Sequence, residues 1–101
     1  MPDRPASLSE KERLILELLG RARRMYGLEL VAASDGALKR GTVYVTLGRM
    51  EEKGLVTSHL EDEPPAQGGM PRRLYQTTAY GRELLSAWTS AHRRLRLRFA
   101  R

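Results

Sequence analysis

The sequence predicts an α+β fold, mostly helical: three short helices, a two-stranded hairpin and a long closing helix. Three observations carry this. Residues 10–53 hold three apolar stripes at helical spacing, punctuated by glycine and Asp-Gly. Two β-branched or threonine-rich runs, LVTSHL and RRLYQT, flank EDEPPAQGGMP, whose prolines and glycines break regular structure. Finally Leu84, Leu85, Trp88, Ala91, Leu95 and Phe99 recur at intervals of one to four residues, as on one face of a long helix.

Residues 1–8, with prolines at 2 and 5, are expected to form a flexible arm. Ser9 and Glu12 fit a capping box, in which hydroxyl and carboxylate each satisfy a free backbone donor. The first helix follows over about Glu10 to Leu19, with Leu14, Ile15, Leu18 and Leu19 inward and Gly20 ending or loosening it. A second helix is expected over about Tyr26 to Ser34, with Leu28, Val31 and Ala32 inward, closed by the Asp35-Gly36 turn. The third lies within Arg40 to Gly54. Val43, Leu47 and Met50 share its buried face, Thr42, Thr46, Arg49 and Lys53 its polar one, and Gly54 stops it. Strands over Leu55–Leu60 and Arg72–Thr77 come next. Thr78 is placed to cap a last helix from about Ala79 to Phe99, about 30 Å long at about 1.5 Å per residue.

This order, helix-turn-helix followed at once by a hairpin, is that of a winged helix-turn-helix. Residues 1–78 then form a DNA-binding domain and residues 79–101 a dimerisation helix. The body is too small to cover the long helix, so a second copy of the chain is the simplest cover. A helix N-terminus beside Lys39 and Arg40, with no acid before Glu51, suits a phosphate.

Charge supports an anionic partner and shows where the excess lies. The net charge is +6, but residues 1–37 carry six basic and six acidic groups and cancel. Residues 79–101 carry six basic groups and one acid, a surplus of five. Cations near a helix C-terminus also complement its dipole, so composition alone does not establish DNA binding. The absence of cysteine excludes disulfides and thiolate metal sites. His59 and His92 sit in separate elements without a Ser-His-Asp set, and QGGM lacks the lysine and hydroxyl of a phosphate loop. No enzyme activity, metal or cofactor is therefore expected. Without a membrane-length apolar run or signal-peptide pattern, a cytoplasmic location is expected.

Five segments in order resemble the PadR family of bacterial transcriptional regulators: Tyr26-Gly27; Gly41 to Tyr44; Met50 to Val56; Gly69 to Tyr75; and Thr78 to Arg82. The resemblance covers roughly residues 10–90 and is to the compact branch with one C-terminal helix. It implies a homodimeric repressor of an inverted-repeat operator, with the third helix in the major groove and the wing on the backbone or minor groove. Carried over, Thr42, Tyr44, Thr46 and Arg49 lie in the groove, and Arg49 is the base reader because a guanidinium bonds guanine bidentately. Lys39, Arg40, Tyr26, Arg72 and Arg73 hold phosphates. Leu84, Leu85, Trp88, Ala91, Leu95 and Phe99 form the dimer interface. A small aromatic effector is implied at Trp88 or His92, where dimer-core packing and a solvated histidine are the competing readings.

The sequence departs from the family pattern in three places. Val45 replaces a frequent basic or polar residue and so offers an apolar contact, as to a thymine methyl. Gly48 inside the reading helix costs on the order of 1 kcal/mol relative to alanine. Glu61, Asp62 and Glu63 make the wing acidic and are expected to stand back from phosphates. The alternative from another class is a winged-helix protein-interaction module whose basic last helix docks an acidic partner.

Overall fold

The computed structural model describes residues 7–62 and 68–99, with side chains to Arg94. The arm at residues 1–6, the wing segment 63–67 and the side chains of Leu95 and Phe99 lie outside the described residues. The elements run α1 (Glu10–Ala22), β1 (Met25–Tyr26), α2 (Gly27–Ala33), α3 (Val43–Glu52), β2 (Val56–Leu60), β3 (Arg73–Thr77) and α4 (Ala79–Phe99). The strands form one antiparallel sheet in the order β1-β3-β2.

The capping box opens α1: Glu12 N donates to Ser9 Oγ at 3.1 Å and Ser9 N to Glu12 Oε1 at 2.9 Å. Gly20 does not end this helix, which runs on to Ala22. Leu16, absent from the expected stripe, is buried beside Ile15, Leu18 and Leu19. Two faces of α1 meet neighbours, so its apolar stripe is wider than one ridge.

The second helix departs furthest from expectation. It starts at Gly27, leaves Leu28 and Ala32 exposed, and buries Leu30 completely. The reason is β1, a two-residue strand that the sequence does not announce. Met25 pairs with Tyr75 and Tyr26 with Leu74, which holds the chain extended up to the helix and sets the helix phase. The hairpin thus has three strands at its base where two are expected. Asp35 (φ 54°) and Gly36 (φ 90°) take the left-handed conformation in the expected turn. Ser34 Oγ closes it, donating to Val31 O and accepting from Leu38 N.

Helix α3 buries Val43, Leu47 and Met50 as expected. Its end is a Schellman motif. Gly54 N donates to Glu51 O at 3.0 Å and Leu55 N to Met50 O at 2.9 Å, with Gly54 at φ 78°. Leu55 then enters the core. Thr78 joins α4 to this corner: its hydroxyl donates to Gly54 O at 2.6 Å and accepts from Gly81 N at 2.9 Å. Leu84 and Leu85 pack on the core, whereas Thr89 to Arg94 are exposed.

One ion pair crosses the core edge. Lys53 Nζ lies 2.8 Å from Glu12 Oε2, and the Glu12 side chain is only 3% exposed. Lys53 is therefore turned toward α1, not outward with Arg49. Burial pushes the Glu12 carboxyl up, but the Lys53 bond, the Ser9 amide bond and the Lys53 charge together hold it below the usual 4.5. A carboxyl depressed on folding adds stability above its unfolded value, and that stability is lost as pH falls. Glu12→Gln is expected to cost about 1–3 kcal/mol near neutral pH. It should also flatten the decline in stability below about pH 4.5, checked by urea midpoints across pH.

Candidate nucleic-acid interface

The outward face of α3 starts at a turn in which Thr42 N and Val43 N both donate to Lys39 O, at 3.1 and 2.9 Å. Lys39 and Arg40 are exposed there and make no ion pair among the described residues. No acid lies in the first turn of the helix, so its positive end is uncompensated. Val45 is 60% exposed and Tyr44 48%, while Gly48 and Arg49 are open to solvent between them and the helix end. Thr46 is half-buried, and its hydroxyl donates back to Thr42 O at 3.2 Å. This leaves its lone pairs and methyl for an outside partner.

Tyr44 rests on α2. A Cβ built on Gly27 would lie 2.5 Å from its ring, so the glycine provides the seat for the phenol. Gly27→Ala should push the ring out of place and weaken DNA binding several-fold while thermal unfolding moves little. Paired mobility-shift and melting measurements check this.

A residue missed from sequence joins this face. Ser9, Glu10 and Lys11 line one open groove with Thr42, Val45, Thr46 and Arg49. Lys11 thus adds a cation beside the reading helix. No local pattern marks it, because its place depends on the packing of α1 against α3.

On the hairpin, Arg73 Nη1 donates to Ser58 Oγ at 3.1 Å, and Ser58 Oγ donates to Glu51 Oε2 at 2.7 Å. This chain ties the wing to the end of α3. Arg72 is held differently. Its backbone N and Nε donate to Glu61 Oε2 at 2.9 and 3.1 Å, and its Nη2 to Tyr26 Oη at 3.0 Å. Tyr26 Oη donates to Glu61 Oε1 at 2.7 Å, and the guanidinium sits 3.8 Å above the Tyr26 ring centroid. The Arg72 bond, then the Tyr26 hydroxyl, hold the Glu61 carboxyl down at about 2. In turn Glu61 raises the Tyr26 phenol. The resemblance placed Tyr26 and Arg72 on phosphates and Glu61 back from them; among the described residues the three side chains bond to one another.

On α4, Trp88 and His92 stack with centroids 3.6 Å apart and planes 21° off parallel. His92 Nδ1 lies 3.0 Å from Trp88 O, and the Arg13 guanidinium sits 4.7 Å from the Trp88 ring centroid. Leu84, Leu85 and Trp88 are half-buried against the body of their own chain, and Ala91 is exposed.

A helix-turn-helix with an open basic face, beside a hairpin braced to the same helix, defines a winged-helix DNA-binding protein. The comparisons narrow this. The transcriptional regulator PadR-like family matches residues 15–87, and the chain belongs to that family. Among solved structures it is similar to a PadR family transcription regulator from Clostridium difficile, at 30% identity and a TM-score of 0.72 over 83% of this chain and 88% of that one. It is also similar to a PadR family transcriptional regulator from Eggerthella lenta, at 28% identity and a TM-score of 0.68 over 82% and 71%. No curated protein matches the chain. These relatives are regulators of transcription rather than enzymes. Among the described residues no helix is long and apolar enough to cross a membrane.

Proposed function

We propose that this chain is a homodimeric repressor that binds an inverted-repeat operator in double-stranded DNA. One observation carries the reading: the α3 face exposing Tyr44, Val45 and Arg49 begins beside exposed Lys39 and Arg40, which make no ion pair among the described residues, and carries no acid in its first turn. Arg49 and Val45 read bases in the major groove, with Thr42, Tyr44 and Thr46 beside them. Lys39, Arg40, Lys11 and Arg73 hold phosphates and set the docking register. The second copy packs on α4, which is exposed from Thr89 to Arg94. This brings two α3 helices to successive major grooves, one helical turn apart. A planar aromatic effector is accommodated at the Trp88–His92 stack, where it would displace Arg13 or His92 from the indole and alter the seating of α4.

The test is a mobility shift on DNA from immediately upstream of the chain's own gene, with unrelated DNA as competitor. Competitor-resistant binding and a two-fold symmetric footprint are expected. Equal, weak binding to both fragments would instead favour the protein-docking module.

A further inference from the structure

We propose that Glu61 is an internal counter-anion that occupies Arg72 and Tyr26 and keeps them off the DNA backbone, lowering affinity for all duplex DNA. The inference rests on the DNA-binding reading above and concerns residues outside the α3 face.

The contacts around Glu61 are those of an anion site. One carboxylate receives a backbone N–H, a guanidinium and a phenol hydroxyl, the donor set that commonly holds a phosphate oxygen pair. The Glu61 side chain is 17% exposed and that of Arg72 47%, so the acid lies under the cation. The site lies on the reading side, since Tyr26, Arg72 and Arg73 line one cleft with Tyr44 of α3. Left alone, Arg72 stacked on Tyr26 would present a rigid, sequence-blind phosphate clamp beside the reading helix. Such contacts strengthen binding to every sequence equally and so raise the protein's occupancy of non-operator DNA without adding discrimination. Glu61 occupies the clamp in advance. Its carboxyl, held at about 2 chiefly by Arg72, remains charged across the physiological range. Affinity is thereby left to α3, Lys39, Arg40 and Arg73, and the wing keeps its shape through an intramolecular bond.

Glu61→Gln tests this, because glutamine keeps a carbonyl acceptor for the Arg72 amide while removing the charge. The measurement is the salt dependence of binding to a random duplex and to the operator. In the variant the slope of log K against log salt should steepen by about one per protomer. Affinity for the random duplex and for the operator should both rise about 3-fold per protomer, so roughly 10-fold for a dimer, with their ratio unchanged. Arg72→Ala in the wild-type background should leave the slope unchanged, and in the Glu61→Gln background should restore the wild-type slope. The proposal is overturned if Arg72→Ala alone flattens the slope by about one, since Arg72 would then already hold a phosphate. An unchanged slope in Glu61→Gln overturns it too. Wild-type protein that binds no duplex in a salt-dependent way refutes the DNA-binding reading itself, a result distinct from either.

Discussion

Arg49→Ala is expected to lower operator affinity by about 10- to 100-fold, because a bidentate guanidinium–guanine pair discriminates by about 1–3 kcal/mol. Arg49 is exposed in the last turn of α3, and no described residue bonds its guanidinium. Removing it should therefore leave the fold intact, with the thermal midpoint nearly unmoved. Binding to random DNA should fall much less than binding to the operator, since the phosphate contacts stay. Lys39→Ala should behave in the opposite manner, weakening both duplexes alike and reducing the salt slope by about one per protomer. Titrating both variants against both duplexes separates reader from anchor. Equal losses on both duplexes for Arg49→Ala would make it another phosphate contact and leave base reading to Val45 and Tyr44.

Gly81→Val is expected to destabilise the body markedly. A Cβ at Gly81 collides with the Leu55 carbonyl oxygen and comes within 2.9 Å of Thr77 Cγ2. Its principal obstacle is backbone, so no rotamer change relieves it. Overpacking of this kind costs typically about 1–3 kcal/mol, and the branched valine adds atoms beyond the Cβ. The site is also where Thr78 binds Gly54 O, Leu55 O and Gly81 N, so displacement of α4 would break its anchor. Chemical denaturation should show a midpoint shifted down, and DNA binding should fall with it, since in the proposed dimer α4 sets the spacing of the two reading helices. A Gly81→Val protein as stable as wild type would mean that α4 docks with more slack than the Leu55 contact allows.

Much of the interface was legible in the chain. Val43, Leu47 and Met50 at helical spacing put Thr42, Thr46, Arg49 and Lys53 on the other side; Thr42 and Arg49 stand there exposed, whereas Thr46 is half-buried and Lys53 turns to Glu12. Ser9 with Glu12, Gly54 after Glu52, and Thr78 before Ala79 mark helix ends through bonds spanning three to five residues. The second helix was misphased for the opposite reason. LELVAA offers apolar residues on every side, and the choice of Leu30 over Leu28 follows from Met25 and Tyr26 pairing with a strand about fifty residues away. Glycine is likewise ambiguous by itself: Gly54 stops a helix at φ 78°, whereas Gly20 sits inside α1, where an added Cβ would meet no described atom within 4 Å.

What the sequence by itself determined is the four helices and the two hairpin strands, their order and the polarity of α3. Capping, periodicity and turn chemistry act over a few residues and are written locally. The tertiary structure decided which charges remain available to a partner. Lys53 and Arg72 read alike as free cations, yet one pairs with Glu12, 41 residues away, and the other stacks on Tyr26 and binds Glu61. Lys11, unremarked in its own helix, stands beside the reading face because α1 crosses α3 there. A charge acts on whatever lies within a few ångströms, and that distance is set by the packed chain rather than by spacing along it.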